Sequence, residues 1–573
     1  MLILGFNCNI HNSSAAIIKD GKLIAATEEE RFNRIKHYGG FPKEAINYCL
    51  KEAKASINDV DEVVFYWQPF LGLHHRAIII LKNITTAKTY FSGRSAGQAV
   101  RGGSIVSWWK QYTMKRDFIK RYNFKNRFHY IPHHLCHAAS TFLISGFDEA
   151  AILSIDFAGE WSSTLYGVGE ETRIKVIKEI GYPHSLGNLY GTMTQFLGFK
   201  PNSDEYKVMG LASYGENKDN PYIEFFKKFV RWYGDGRFEL DLKMFTHHRG
   251  EAKWYSESME EILGPARKKD DEITTRHMLI AYAAQKRTEE IILEMARYLK
   301  TKTGKKYLCL AGGVALNCVA NSRVLQSGIF EDIHIHPAAH DAGASVGGAF
   351  YLYNTIFNYP RNFILQDAYL GPSYSDIECK DAVSQSQYKW KEYNNIEEIV
   401  AKLIATGNIV GWFQGRMEWG PRALGNRSIL ADPRKAEMKE IINRKVKHRE
   451  PFRPFAPTVL SEDMSEYFDG VHLSPFMLLV YKVKKPDIVP AITHVDGTGR
   501  VQTINKQDNP KYYKLIEEFK KLTGVPMVLN TSFNDAEEPI VNTPSDALSC
   551  FERTDIDYLV LHNILVSRSG ILP

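Results

Sequence analysis

Short apolar runs separated by polar turns occur twice along the chain in the same order. Residues 2–5 are apolar, a polar loop follows, and residues 14–29 hold two β-type segments around Asp20-Gly21, a hairpin signal. About 149 residues later residues 151–156 (AILSID) form another apolar run. A Gly/Ser loop follows it, and residues 162–180 supply two further segments around a Gly-Glu-Glu turn. The pattern predicts a duplicated α/β unit.

Actin-like ATPases and sugar kinases are built from such a duplication, with the loops of both halves facing a central cleft. Further along, the apolar spacing predicts helices over residues 275–300 and 343–357 and a strand over residues 306–310. The chain turns irregular over residues 359–375, where we place a boundary. We predict a first domain over residues 1–360, a connector over 361–390 and a second domain over 391–573.

Composition narrows the class of protein. The 573 residues are 44% apolar and 24% charged, which is typical of a globular protein. The net charge of +6 is too small for so long a chain to indicate nucleic acid by itself. We expect no signal peptide or membrane span, because the N-terminus has no basic n-region and the apolar runs are short. The seven cysteines form no C-x-x-C pair, which favours a reducing, cytoplasmic location.

A histidine pair supplies the sharpest local signal. His133 and His137 in IPHHLCHAAS share one face of a helix, at the spacing of two metal-binding imidazoles. Asp156 ends a predicted strand, and Asp341 in HPAAHDAGAS lies between a predicted strand and a helix. Two His and two Asp suit Fe(II), Mn(II) or Zn(II). Neighbouring His134 and His340 remain alternatives, and an isolated pair is more often simply buried or at the surface.

Two further segments point to anion binding. In AGGVALN, residues 311–317, Gly312 and Gly313 precede a helix and allow the backbone to approach a phosphate, although such a turn is often only a turn. Residues 414–457 are rich in arginine in loop-like sequence with Gly, Pro and Trp, where a solvated helix face cannot form. One guanidinium group can donate two parallel hydrogen bonds to a phosphate, so we favour a polyanionic small molecule as the ligand of this segment. RNA is the alternative, but the stretch lacks interleaved aromatic residues.

A set of motifs, in order along nearly the whole chain, carries a family resemblance. The N-terminal motifs are GFNCNIHNSSAAIIKDG, EEERFNRIKHYGGFP, HHLCHAAS, DFAGE, EYKVMGLASYG, AGGVALN and HDAGAS. The C-terminal motifs are EWGPRALGNRSILADPR, FRPFAP, THVDGTGRVQT, LNTSFN and EPIVNTPSDAL. Together they resemble the bacterial O-carbamoyltransferases, which act on nodulation factors, aminoglycosides and cephems. The resemblance implies an α/β protein with a duplicated actin-like (ASKHA) N-terminal domain and a YrdC-like α/β C-terminal domain.

The resemblance also implies a reaction. The YrdC-like domain would make carbamoyl adenylate from carbamoyl phosphate and ATP, with Mg²⁺ accompanying the ATP. The actin-like domain would transfer the carbamoyl group to a hydroxyl of a small natural product. We expect no membrane partner and no nucleic-acid partner, and a homodimer is the default expectation. The alternative function is a tRNA-modifying or RNA-binding protein related to threonylcarbamoyladenosine synthesis.

Roles are carried over motif by motif. The Fe(II) ligands would be His133, His137, Asp156 and Asp341, the catalytic base His11 and the acceptor-binding residue Lys36. Nucleotide would contact Gly312, Gly313, Asn317, Asn530, Ser532 and Asn534. Carbamoyl phosphate and ATP would contact Arg416, Arg422, Arg427, Arg449, Arg453 and Arg500. Two departures stand out: Asn12 follows His11 where the family usually has Asp, and Phe157 replaces a small residue.

The aromatic-rich segment 67–115 is a candidate for part of the acceptor pocket, or an inserted helical pair.

Overall fold

The computed structural model describes residues 1–82, 105–249, 252–470 and 472–573, so residues 83–104 of the aromatic-rich segment lie outside it. Contacts group the chain into two compact units. The first unit comprises Met1–Glu29 and His37–Leu365, and the second comprises Glu30–Lys36 and Gln366–Pro573. Residues 366–390, predicted to be a connector, therefore belong to the second unit. So does a short segment from near the N-terminus.

The first sheet of unit 1 follows from the first apolar repeat. Its strands are β1 (Leu2–Asn7), β2 (Ser14–Lys19), β3 (Lys22–Glu28), β4 (Glu62–Phe65) and β5 (Arg127–Tyr130), in the order β3-β2-β1-β4-β5. The β1–β2 and β2–β3 pairs are antiparallel, and β1–β4 and β4–β5 are parallel. Asp20 and Gly21 both have positive φ, as the tight turn of the predicted hairpin requires.

The second sheet repeats that plan. The strands are β6 (Glu149–Ile155), β7 (Ser162–Glu170), β8 (Arg173–Gly181), β9 (Val230–Trp232), β10 (Phe238–Leu240), β11 (Tyr307–Ala311) and β12 (Asp332–Ile335), with β9 and β10 forming a separate ribbon. The order β8-β7-β6-β11-β12 has the same antiparallel and parallel pairings as the first sheet. The duplicated actin-like fold predicted from the repeat is confirmed by this topology.

Helices cover the sheets and connect their strands. The α-helices of the described residues are α1 (Glu30–Asn33), α2 (Lys43–Glu52), α3 (Leu73–Lys82), α4 (Ile105–Tyr122), α5 (His133–Phe142), α6 (Leu186–Phe196), α7 (Glu205–Ala212), α8 (Ile223–Phe229), α9 (Glu257–Leu263), α10 (Thr275–Thr303), α11 (Cys318–Gln326), α12 (Gly343–Phe350), α13 (Asp376–Ser384), α14 (Ile396–Ala405), α15 (Met438–Lys445), α16 (Met464–Tyr467), α17 (Pro510–Thr523) and α18 (Pro544–Arg553). A π-helical turn, Tyr351–Ile356, continues α12. None of the helices in the part of the chain described is long and apolar enough to cross a membrane.

Close packing of α5 on α12 places two parts of the site side by side. A Cβ added at Gly347 of α12 would lie 1.8 Å from the carbonyl oxygen of Cys136 on α5. Only glycine, which has no Cβ, allows this approach. Because α5 begins at His133 and α12 begins two residues after Asp341, the contact brings these residues together.

Unit 2 is built on one mixed nine-stranded sheet. Its strands are β13 (Lys389–Glu392), β14 (Val410–Phe413), β15 (Arg427–Ala431), β16 (Ala456–Leu460), β17 (Leu479–Lys482), β18 (Thr498–Ile504), β19 (Met527–Ser532), β20 (Tyr558–Leu561) and β21 (Ile564–Ser567). The order is β13-β21-β20-β14-β15-β19-β16-β18-β17. Adjacent central strands β15 and β19 pair Ser428 with Ser532, so the arginine-rich and LNTSFN motifs meet in the sheet. The predicted α/β C-terminal domain is confirmed.

Candidate functional site

Four side chains converge in unit 1 as a mixed nitrogen and oxygen cluster. One ligand atom from each of His133, His137, Asp156 and Asp341 lies within 4.8 Å of the others. His137 Nε2 is 2.8 Å and His133 Nε2 3.3 Å from Asp156 Oδ2. Asp341 Oδ1 is 3.6 Å from His137 Nε2 and 3.8 Å from His133 Nε2. The structure thus brings all four predicted metal ligands together.

The local sequence explains how each ligand is held. His133 and His137 are one turn apart on α5, and the Glu160 carboxylate accepts the backbone N–H of His133, at 3.0 and 3.2 Å from its two oxygens. That carboxylate also accepts the N–H of Gln68 at 2.7 Å. Negative charge is stabilising at a helix N-terminus. Glu160 ends the DFAGE motif, but its role was not predicted. A local pattern does not show which helix N-terminus a distant carboxylate will cap.

Electrostatics in the cluster favour a central positive charge. Burial by itself would raise the pKa of Asp156, but hydrogen bonds from His133 and His137 lower it well below its usual range. Burial would lower the pKa of His137, but its bonds to Asp156 and Asp341 raise it to about 9. Two buried carboxylates side by side need a cation between them. The Nε2 atoms and carboxylate oxygens offer four ligands to a divalent metal in that position, so the residues fit the predicted group.

The two neighbouring histidines, His134 and His340, contact residues outside this cluster. His134 Nε2 lies 3.0 Å from the carbonyl oxygen of Ser162, and its Nδ1 lies 2.9 Å from Ser154 Oγ. Both ring nitrogens are therefore used, and burial lowers the pKa of His134 to about 3, so it is neutral. His340 Nε2 lies 3.2 Å from Glu28 Oε1. Spacing left both residues open as ligands, but neither is among the four residues whose ligand atoms converge.

His11 lies at the edge of the cluster. Its Nδ1 is 2.9 Å from Asn12 Oδ1 and 3.9 Å from Asp341 Oδ2. Since Asn12 Oδ1 only accepts, Nδ1 carries the hydrogen and Nε2 keeps its lone pair. Asn12 Nδ2 in turn lies 3.4 Å from Glu28 Oε1, within hydrogen-bond distance. The amide that replaces the family's usual Asp therefore still orients the imidazole.

The AGGVALN loop borders the same cluster. Gly312 has φ +85°, and a Cβ on it would meet the carbonyl oxygen of Ile155 at 2.2 Å, so glycine is required there. A Cβ on Gly313 would lie 3.1 Å from Asp156 Oδ1. Asn317 Oδ1 accepts the N–H of Ala320 and caps α11, while its amide nitrogen donates to Gln285. The nucleotide role assigned to these three residues stays a prediction.

Two of the predicted ligands in unit 2, Arg427 and Asn530, donate several hydrogen bonds to other groups of the protein. Arg427 is fully buried and donates to the carbonyl oxygens of Gln414, Gly415, Asn426 and Pro372. Its guanidinium also stacks 3.6 Å from the centre of the Phe413 ring. Asn530 donates to Thr458 Oγ1 at 2.9 Å and to Gln502 Oε1 at 3.0 Å. The Nη1 and Nη2 groups of Arg427 are thus used by carbonyl groups, and the predicted contacts of Arg427 and Asn530 with substrate stay predictions.

The remaining arginines lie on strand β18 and in the loops of unit 2. Arg416 donates to the carbonyl of Leu370 at 2.7 Å, and Arg449 donates to Asn443 Oδ1 at 2.6 Å. Arg453 is an ion-pair neighbour of Glu450, at 3.6 Å. Arg500 lies on β18, opposite Val480 of β17. Arg422 follows Gly420 in the loop between β14 and β15. The roles of these five in binding stay predictions.

Lys447 is a residue to which the sequence analysis gave no role. It is buried, and its Nζ lies 2.6 Å from the carbonyl oxygen and 2.7 Å from Oδ1 of Asn534, and 2.9 Å from the carbonyl oxygen of Ser532. Burial lowers the pKa of Lys447 well below its usual range, and nearby Arg449 adds to that effect. Lys447 is distinguished from the other lysines of this segment by its burial, which the sequence does not show. It brings Ser532 and Asn534 into contact with the basic segment.

Lys36, predicted to contact the acceptor, belongs to unit 2, and its binding role stays a prediction. The segment Glu30–Lys36 is held there by hydrogen bonds of its arginines to backbone carbonyl groups. Contacts between distant parts of the chain decide this placement, and no local pattern indicates it.

Comparison with known proteins accounts for both units. Residues 2–350 match the family model "Carbamoyltransferase N-terminus", and residues 401–568 match "Carbamoyltransferase C-terminus". The chain belongs to the carbamoyltransferase family. The family resemblance predicted from the motifs is therefore confirmed, and with it the transferase class.

Relatives of this carbamoyltransferase extend over its whole length. It is 39% identical to an uncharacterized protein of Synechocystis sp., over 99% of this chain and 97% of that protein. It is 38% identical to the nodulation protein NolNO of Sinorhizobium fredii, over 99% of this chain and 80% of that protein. It is 32% identical to the 3'-hydroxymethylcephem-O-carbamoyltransferase of Amycolatopsis lactamdurans, over 49% of this chain and 52% of that enzyme.

Proposed function

We propose that this carbamoyltransferase is an ATP-dependent enzyme that carbamoylates a hydroxyl group of a small natural product. Unit 2 would convert carbamoyl phosphate, ATP and one water molecule into carbamoyl adenylate, phosphate and pyrophosphate. In unit 1 the acceptor oxygen would then bond to the carbamoyl carbon as the bond to AMP breaks. The observation that carries the proposal is the buried two-His, two-Asp cluster bordered by a glycine loop, in a chain of this family.

The chain's own residues supply the parts that the second step needs. His11 Nε2, left basic by the hydrogen bond of Nδ1 to Asn12, would take the proton from the acceptor hydroxyl. His133, His137, Asp156 and Asp341 would hold Fe(II) or another divalent metal, which supplies Lewis-acid stabilisation of negative charge on the phosphate oxygens. Gly312 and Gly313 would bring backbone N–H groups to the adenylate phosphate.

Unit 2 supplies cationic groups for the first step. Lys447 contacts Ser532 and Asn534, and Arg449 and Arg453 are near enough to lower its pKa. Arg422 and Arg500 would join them as ligands, because guanidinium groups bind phosphate oxygens in a bidentate manner. The names of the relatives point to a hydroxyl acceptor, since one acts on a hydroxymethyl cephem and another serves nodulation. We therefore propose a hydroxyl-bearing secondary metabolite or glycan as the acceptor class.

The test needs no acceptor. The purified full chain is incubated with ATP and carbamoyl phosphate, with and without Fe(II), and pyrophosphate and carbamoyl adenylate are measured. Formation of both supports the proposal, and their absence under every metal condition rejects it. A variant with Arg449→Met and Arg453→Met should lose adenylate formation but still use supplied carbamoyl adenylate. Equal loss of both activities would contradict the assignment of the two steps to two sites.

A further inference from the structure

The segment Glu30–Lys36 is a part of unit 2 that comes from near the N-terminus. Its flanking residues Glu29 and His37 belong to unit 1, so the chain enters and leaves unit 2 within seven residues. Arg31 is buried and donates from Nη2 to the carbonyl oxygen of Gly420 at 2.9 Å. This is the first of two anchors, and it holds the loop that carries Arg422.

The second anchor is a guanidinium fork. Arg34 donates from Nη1 to the carbonyl oxygen of Ile540 at 2.6 Å and from Nη2 to that of Pro539 at 2.7 Å. Its Nε also lies 3.7 Å from Asp546 Oδ1. Two parallel hydrogen bonds from one planar group fix both position and orientation. The backbone around Arg34 is therefore held in register with the loop 534–541.

Each of the two anchored loops carries or adjoins one of the candidate ligands. Gly420 precedes Arg422 by two residues, and the loop 534–541 begins at Asn534, whose two oxygens contact Lys447 Nζ. The side chain of Ile540 packs with Met417 and Ala423 in one buried apolar cluster. The segment thus contacts both loops, the one that carries Arg422 and the loop 534–541. Its last residue, Lys36, lies only two positions beyond Arg34.

We infer that Lys36 is a binding residue of the anion site of unit 2, held there by Arg31 and Arg34, and that it binds a phosphate oxygen of carbamoyl phosphate or ATP. The inference rests on the proposed function and replaces the acceptor contact that the family resemblance implied. The positive charge of Lys36 is among the causes that lower the pKa of Lys447, which is consistent with their proximity. A lysine kept near other cations by two anchors is suited to a polyanionic ligand.

Equilibrium titration of the full chain tests the inference without turnover, with carbamoyl phosphate alone and with ATP alone. Lys36→Met should weaken binding of one of them about tenfold or more, as expected for losing one hydrogen bond to a charged group. The ligand that is weakened identifies which phosphate Lys36 contacts. Lys36→Arg, which keeps the charge and donors, should retain most of the affinity. Lys43→Met, an exposed lysine of unit 1, is the matched control and should change neither affinity.

Unchanged affinity for both ligands in Lys36→Met, with a loss confined to acceptor-dependent transfer, would overturn the inference and return Lys36 to the acceptor site. Absence of pyrophosphate from the wild-type enzyme would instead reject the proposed function, and the binding result would still stand.

The positioning role of Arg34 has its own test. Arg34→Lys, which breaks the fork, should weaken binding in the wild-type background and have less effect when Lys36 is already Met. Additive effects of the two changes would contradict positioning through Lys36.

Discussion

His11 and Asn12 form a hydrogen-bonded pair in which Nδ1 of the imidazole lies 2.9 Å from Oδ1 of the amide. The amide oxygen cannot donate, so the pair selects the imidazole tautomer whose Nε2 is basic. In the proposed function, proton transfer would therefore depend on the pair rather than on His11 alone.

We therefore expect different losses from the two residues. His11→Asn should lower the rate of transfer to an acceptor by about 10²–10⁴-fold, the usual contribution of a general base. Asn12→Leu, which keeps the volume but removes the acceptor oxygen, should cause a smaller loss, because the base remains but its tautomer is no longer selected. Both variants should release pyrophosphate at the wild-type rate when no acceptor is present. A parallel loss of pyrophosphate release would contradict a role confined to transfer.

Metal binding should separate the histidines of α5. His137→Gln should lower divalent-metal affinity by more than about 100-fold, since even changes around the ligands of a metal cost about 10–100-fold. His134→Gln is the matched control: its nitrogens bond to Ser154 and Ser162, so it should keep the metal and lose thermal stability instead. Metal content after dialysis and a melting curve measure the two effects. Loss of metal from the His134 variant alone would show that the wrong histidine was assigned.

Anion binding should take up a proton at Lys447. Its pKa is lowered well below the usual range by burial, with Arg449 adding to that effect, and a bound anion raises that pKa again. The complex then holds more protons than the free protein, so affinity should fall as the pH rises above the pKa of the free protein. Calorimetric titration with sulfate, which stays a dianion throughout the neutral and mildly basic range, measures this slope without a contribution from the ligand's own titration. In Lys447→Met the slope should disappear, and its persistence would assign the proton elsewhere.

Glu418 should support the loop that carries Arg422. One oxygen, Oε1, accepts the backbone N–H groups of Leu424, Asn426 and Arg427 at 2.7–3.1 Å, and the side chain is buried. Glu418→Ala leaves three buried N–H groups without an acceptor and should cost about 2–4 kcal/mol of stability. Glu418→Gln keeps one acceptor oxygen and should cost clearly less. Denaturant unfolding of both variants measures the difference, and equal losses would show that charge, not loop support, is what matters.

Local patterns determined much of this protein. Two β-type segments on either side of a turn signal predicted both hairpins, β2–β3 and β7–β8, since such a turn and its flanking segments are visible within a few residues. Four-residue spacing placed His133 and His137 on one helix face, and the order of motifs identified the family. These features depend on neighbours in the chain, and the sequence alone is enough to recover them.

Only the tertiary structure decided which residues serve the site. Asp156 and Asp341 are far apart in sequence and meet because β6 and β12 lie in one sheet and α12 packs on α5. Burial turned Arg427 inward onto carbonyl groups and set Lys447 among oxygen atoms. The segment 30–36 joined unit 2 through hydrogen bonds to residues about 390 and 500 positions away. Burial and pairing depend on contacts between distant parts of the chain, and no local period encodes them.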